Sequence, residues 1–295
     1  MFKLSRHLHS AISPTNNKIA PLADPKGPLP ADYPLPKPEY FELTNAVSTV
    51  CFEKPRDMLD WYPGPMIGAQ AIGRNIMSSS KYVNRAVELL SVLTPDDYSD
   101  YMSRYYLEGK RRFGEAWGYA DIVTTVLGLT DMIKPKRYLE IGVRRGRSAC
   151  AVVSRALDCE LALFDMWVEN YAGMDNPGPE FVREELKRVG HKGKVEFING
   201  NSHQTLPAYF QSNPDVTFDM ITVDGDHTNV GAAQDLADVL PRVSIGGVVI
   251  FDDVCHPKLL GLGEVWRRQV VEDRRFSAWT YSDVGYGVGF AIRKI

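Results

Sequence analysis

The sequence predicts an α/β fold over residues 136–295: a mostly parallel sheet with helices on both faces. Three observations predict it. From residue 136 onward, short apolar runs alternate with helical patterns and are punctuated by glycine turns. Strand–helix–strand repetition needs crossover connections, which pair strands in parallel. An acid ends four of the first five runs, at the sheet edge where open α/β folds bind ligands. The front of the chain has another character, with 11 of the 19 prolines in residues 1–65.

Seven of those prolines lie between Pro21 and Pro38. Proline fixes φ and lacks a backbone donor, so residues 1–60 read as an extended arm packed on the body or on a second subunit. The first 23 residues hold Lys3, Arg6, His7, His9 and Lys18 and no acid. Transit peptides share that composition, and a basic, poorly structured arm is the reading adopted. No apolar run suits a secretory signal.

Residues 61–135 read as a helical cover. Val83, Ala86, Val87, Leu90 and Leu93 recur at helix spacing. Thr94-Pro95-Asp96-Asp97 marks the next start, with Thr94 as N-cap, Pro95 at the first position and acids in the first turn. That helix is predicted to run to about Phe113. A third spans about Glu115 to Ile133, on Ile122, Val123, Val126 and Leu127, and Lys134-Pro135 ends it.

Residues 136–295 carry the sheet. Predicted strands are Arg137–Ile141, Leu161–Phe164, Val195–Ile198, Met220–Val223 and Gly247–Phe251. Predicted helices between them are Ser148–Leu157, Glu180–Val189 and Asn229–Leu240. Ala278–Tyr281 and Val288–Arg293 are two more strands, and the short Ser282–Gly287 connection allows only an antiparallel hairpin.

Composition limits the function. Hydrophobic residues at 44% supply a full core, and 34 basic against 37 acidic residues leave a net charge of −3. That balance argues against a chain whose main task is to coat nucleic acid or an anionic membrane. Cys51, Cys150, Cys159 and Cys255 form no C-x-x-C pair, which fits a reducing, cytoplasmic setting.

The strand ends are where chemistry is expected. The first strand runs into Glu140-Ile141-Gly142-Val143-Arg144-Arg145-Gly146-Arg147-Ser148. Its glycines permit a sharp turn and a close ligand, and a side chain at Gly142 is expected to fill space the ligand needs. The spacing E-x-G-x-x-x-G-x-S is neither a dinucleotide fingerprint nor a P-loop. It resembles motif I of the class I S-adenosylmethionine-dependent methyltransferases. The resemblance implies a Rossmann-like, seven-stranded fold and a loop of Glu140, Gly142, Gly146 and Ser148 around the methionine part of the cofactor. Asp165, 25 residues after Glu140, is then the acceptor for the ribose hydroxyls. The turn Gly200-Asn201-Ser202-His203-Gln204 places Ser202 and His203 beside the adenine. Asp224 is included among the cofactor-binding residues.

Val223-Asp224-Gly225-Asp226-His227 pairs with Phe251-Asp252-Asp253. Strands four and five are neighbours in such a fold, so Asp224, Asp252 and Asp253 are expected to converge. Three packed carboxylates repel unless a cation joins them, and oxygen ligands suit Mg²⁺ or a similar hard ion. The pattern is similar to the metal-dependent O-methyltransferases, of the catechol type and of the type acting on macrolide sugars, with Asp-Asp where Asp-Asn also occurs. His227, three residues after Asp224, stands where the catechol type has lysine and the sugar-modifying type histidine. Imidazole suits a general base at neutral pH.

The function expected is S-adenosylmethionine- and divalent-metal-dependent O-methylation of a small hydroxylated acceptor by a homo-oligomer, with neither nucleic acid nor membrane as partner. Three other readings fit the same residues: a metal-independent methyltransferase, an RNA methyltransferase, and a non-catalytic module that kept the fold. Cys255-His256 lacks further zinc ligands at suitable spacing. The arginine pairs 144–145, 267–268 and 274–275 could form a phosphate-binding face, though solvated charge is their default. Trp61, Tyr62, Trp117 and Trp167 could wall a substrate, with core or subunit packing as the default.

Overall fold

A computed structural model describes residues 68–170, 173 and 175–294. The arm at 1–60, Cys51, Trp61 and Tyr62 lie outside the described residues. Four helices come first: α1 (Ala69–Met77), α2 (Ser80–Val92), α3 (Asp97–Phe113) and α4 (Ile122–Ile133), with a 3₁₀ turn at Gly114–Ala116. Then follow β1 (Arg137–Ile141), α5 (Arg147–Val153), β2 (Glu160–Asp165), α6 (Pro179–Arg188), β3 (Val195–Asn199) and α7 (Ser202–Ser212). The chain continues as β4 (Phe218–Val223), α8 (Asn229–Val239), β5 (Val243–Asp252), α9 (Leu262–Trp266) running into a π turn, β6 (Phe276–Tyr281) and β7 (Val288–Arg293).

The sheet order is β3-β2-β1-β4-β5-β7-β6. β1 pairs in parallel with both β2 and β4, and β4 with β5. β7 runs antiparallel to both β5 and β6, and the short connection requires this of the β6–β7 pair. Between β1 and β4 the chain order reverses, which opens a crevice at their carboxyl ends.

Alternation along the strands builds two cores. Tyr138, Leu161, Leu163, Met220, Val248 and Ile250 face the helices α1, α2, α4, α5 and α6. Leu139, Ile141, Phe164, Ile221, Val223 and Val249 face α7, α8 and α9. Helices α1–α4 therefore share the core of the sheet. α4 is apolar nearly all round, with Val126, Leu127 and Leu129 at most 1% exposed, because it lies between the sheet and α1 and α2.

Several boundaries differ from the sequence reading. α3 starts at Asp97, and its N-cap is Asp96, whose side chain accepts from the Ser99 backbone in a reciprocal capping box. Thr94 does not cap it. Thr94 hydroxyl and backbone N–H both donate to Glu185 of α6, at 2.6 and 2.7 Å. The third predicted helix starts late, at Ile122, because Asp121 caps there with Thr124. α1, α7 and α9 were not expected. Trp117 stacks on Tyr119 at 4.9 Å between ring centres, so its role is packing. Among the described residues no helix is long and apolar enough to cross a membrane.

Candidate active site

The parallel ladder extends one residue past each strand end. Gly142 N–H donates to Phe164 O, Asp224 N–H to Ile141 O and Gly200 N–H to Asp165 O, each at 2.9 Å. These bonds hold three loops side by side at the crevice. Gly142, Arg144, Asp165, Asn176, Asn201, Ser202, Asp224 and His227 are among the residues lining one cavity there. The cavity volume is about 230 Å³.

The glycines serve the chain's own approach. Gly142 has φ of +87°, and a Cβ on it would stand 1.9 Å from Asp224 O. The expected reason for a glycine there is thus corrected: the neighbouring backbone, before any ligand, excludes a side chain. Gly146, with φ of +71°, leads into α5, and its Cβ would press on Val182 of α6. Ser148 also turns away from the cavity wall. It is buried and donates to Glu140. Glu140 is fully buried, and its Oε2 has no hydrogen-bond partner among the described residues. Burial pushes its carboxyl up to about 8.

Asp165 ties the loops together. It accepts from the Arg144 backbone at 2.7 Å, the Trp167 backbone at 2.6 Å and the Asn176 amide at 3.4 Å. Trp167 is fixed by its ring nitrogen, which donates to Asn199 at 2.8 Å. Ser202 and His203 are the first residues of α7, not turn residues: the Asn201 side chain accepts from His203 N–H and caps the helix. Ser202 lines the cavity, whereas His203 reaches back toward Asp235 of α8, with Nε2 to Oδ1 at 3.5 Å. Asp235 is fully buried and accepts from the Asp226 backbone at 3.3 Å, so it supports the loop after β4 from beneath.

Asp224 and Asp253, after β4 and β5, both lie near His227. His227 Nε2 lies 3.1 Å from Asp224 Oδ1 and 3.9 Å from Asp253 Oδ2. The Asp224 hydrogen bond raises the His227 pKa, against the effect of burial. Asp252 is pushed well up, first by burial and then by the charges of Asp224 and Asp253. Asp253, held in the left-handed region at φ of +59°, is pushed up to about 6 by burial and Asp224. Among the described residues no three His, Cys, Asp or Glu side chains are arranged as a metal ligand set. The donor types fit a hard cation, and the crowded charge would be relieved by one.

Tyr98 of α3 was missing from the sequence reading. It is exposed, and the Arg147 guanidinium lies over its ring, 5.2 Å from the ring centre. Only the fold brings it there, since nothing local in its helix marks it. The outer arginine pairs form no phosphate face: Arg267 and Arg268 pair with Glu264, and Arg275 with Asp273. His256 is a half-buried ring against Tyr286, centres 4.1 Å apart.

Residues 139–254 match the family model described as a methyltransferase domain. No curated protein matches the sequence. Among solved structures the chain is similar to the S-adenosylhomocysteine-bound methyltransferase PaMTH1 of Podospora anserina, at 22% identity over 72% of this chain and 87% of that one, with a TM-score of 0.45. It is also similar to TomG of Streptomyces achromogenes, an O-methyltransferase involved in tomaymycin synthesis, at 22% identity over 68% and 91%, TM-score 0.47. A third is the O-methyltransferase of Bacillus cereus, at 16% identity over 76% and 96%, TM-score 0.46. Residues 139–254, which run from β1 to β5 of a sheet with an antiparallel last hairpin, are thus similar to a methyltransferase domain.

Proposed function

We propose that this chain transfers the methyl group of S-adenosylmethionine to a hydroxyl oxygen of a small molecule. The observation that carries the reading is the position of Asp224. It walls the cavity at the β1–β4 crevice and also holds His227 at 3.1 Å, beside Asp253. A cofactor pocket and a proton acceptor therefore meet at one residue.

In this reading Glu140 and the loop through Gly142, Gly146 and Ser148 shape the methionine end, with Glu140 and Ser148 acting from below. Asp165 would receive the ribose hydroxyls, since a carboxylate can accept about four hydrogen bonds. Ser202 would border the adenine, with His203 behind it. The acceptor's hydroxyl would lie toward His227. As the oxygen bonds the methyl carbon, the carbon–sulfur bond breaks, His227 takes the hydroxyl proton, and neutral S-adenosylhomocysteine leaves. The protein's main contribution is alignment of oxygen, carbon and sulfur.

Asp224, Asp252 and Asp253 would hold a divalent cation such as Mg²⁺. When bound, such an ion supplies Lewis acidity to an acceptor hydroxyl. A metal-independent transfer is the second reading, and the direct His227–Asp224 contact favours it, because a paired histidine can accept a proton without an ion.

The test is methyl transfer from methyl-labelled S-adenosylmethionine to a panel of catechols and glycosides, with and without EDTA. Labelled ether products support the reading, and loss with EDTA that Mg²⁺ restores supports the metal. Full turnover in EDTA favours the second reading. Label found only on nitrogen or carbon would contradict transfer to oxygen.

A further inference from the structure

α8 carries an acid where its pattern asks for an apolar side chain. Ala232, Asp235, Leu236 and Val239 share its buried face, and Asp235 is fully buried. A buried carboxylate is costly unless well partnered, and an apolar side chain of similar volume is often as stable in its place. Burial raises the Asp235 pKa, against the Ser202 side chain, the Asp226 backbone N–H and the charge of His203. An acid so placed calls for a use beyond packing.

Its two oxygens face different elements. Oδ2 accepts the Asp226 N–H at 3.3 Å, and a Cβ on Gly225 would stand 3.0 Å from it. Oδ1 and His203 Nε2 of α7 lie 3.5 Å apart, both buried and neither with a hydrogen-bond partner among the described residues. The His203 backbone is fixed in turn by Asn201 Oδ1 at 2.9 Å. The loop above has little freedom left. Asp226 Oδ1 accepts the Thr228 N–H at 2.7 Å, and the Thr228 hydroxyl accepts the Gly231 N–H at 3.0 Å. His227 lies between these two held residues, with Nε2 at 3.1 Å from Asp224 Oδ1. The direction of its ring therefore depends on the Gly225–Asp226 peptide, and Asp235 holds that peptide from behind the cavity wall.

We propose that Asp235 is a positioning residue for methyl transfer: from beneath the loop after β4 it fixes the Gly225–Asp226 peptide and, through it, the aim of His227. This rests on the reading of His227 as the proton acceptor. α7, which opens with cavity-lining Ser202, contributes through His203 at the other oxygen. A reacting group misplaced by about 1 Å can cost about 100-fold in rate, so the hold on this peptide is a determinant of kcat.

The test compares Asp235→Leu with Asp235→Asn in the full chain. Leu removes both oxygens at similar volume, and Asn keeps one for the Asp226 N–H. Calorimetry gives S-adenosylhomocysteine affinity. Kinetics give kcat and KM on the catechol or glycoside that the wild type methylates. Ring-nitrogen NMR signals of His227, assigned by their loss in His227→Ala, report its orientation. Asp235→Leu should lower kcat about 10–100-fold, keep KM and S-adenosylhomocysteine affinity within about threefold, and shift the His227 signals. Asp235→Asn should keep kcat and the signals near wild-type values. Lost thermal stability with kcat and ring signals unchanged in Asp235→Leu would overturn the proposal and leave Asp235 a packing residue. An Asp235→Asn enzyme as slow as Asp235→Leu would also overturn it, since charge and not the held peptide would then matter. If Asp235→Leu does not fold, Asp235→Ala takes its place with the same outcomes. Failure of the underlying reading looks different: His227→Ala would keep the wild-type rate, or the wild type would methylate nothing in the panel. The ring signals alone then decide whether Asp235 aims the imidazole.

Discussion

His227 Nε2 faces Asp224 Oδ1 at 3.1 Å across the turn that follows β4. The contact spans three residues and closes because Gly225 lets the turn fold over buried Asp235. It orients the imidazole and favours its protonated form.

If His227 is the base, protonation inactivates it. The rate should fall as pH drops through the histidine pKa, and the Asp224 contact moves that acid limb upward. His227→Ala should lose about 10²–10⁴ in kcat. Affinity for S-adenosylhomocysteine should stay near the wild-type value. Paired pH–rate profiles check the role: a His227→Ala profile that keeps the wild-type acid limb would assign the titration to another group.

Asp96 links the helical segment to the motif loop. Burial alone would raise its pKa, but the Ser99 backbone N–H and Arg147 outweigh that and hold it at about 2 against an ordinary 3.8. The folded state therefore binds fewer protons than the unfolded state between those values. The stabilisation is complete above 3.8 and is lost as pH falls through about 2. Asp96→Ala should cost about 1–2 kcal/mol at neutral pH, mostly as a lost cap. Urea denaturation of both proteins at neutral pH and near pH 2 measures this, and an undiminished difference at the acid end would contradict it.

Gly142→Ala should damage the fold as well as the pocket. Its Cβ has no room beside Asp224 O, and φ of +87° strains any side chain. Stability should drop by more than about 1 kcal/mol, together with ligand affinity. Thermal melting of the free protein separates the two effects, and an unchanged melting temperature would restore the simpler view that this glycine only makes room for ligand.

The sheet was legible because its signals are local. Arg137–Ile141 sits between Pro135 and Gly142, and the Ser282–Gly287 link is too short for a parallel pair. α7 was hidden by turn-like Gly200-Asn201-Ser202 and by Pro207 inside the helix, where one missing donor argues against helix in sequence although packing of Leu206 and Phe210 outweighs it. Thr94 looks like a cap until Glu185, 91 residues away, takes its hydroxyl. The gathering of Asp224 and Asp253 about His227 followed from the strand order.

The most direct test of the account is calorimetric titration of S-adenosylhomocysteine into the full chain and into Asp165→Asn. One ligand should bind per wild-type chain, and the variant should bind at least about tenfold more weakly, since it loses a charged acceptor. No binding to the wild type, or equal binding to both proteins, would contradict the assignment of this crevice as the cofactor pocket.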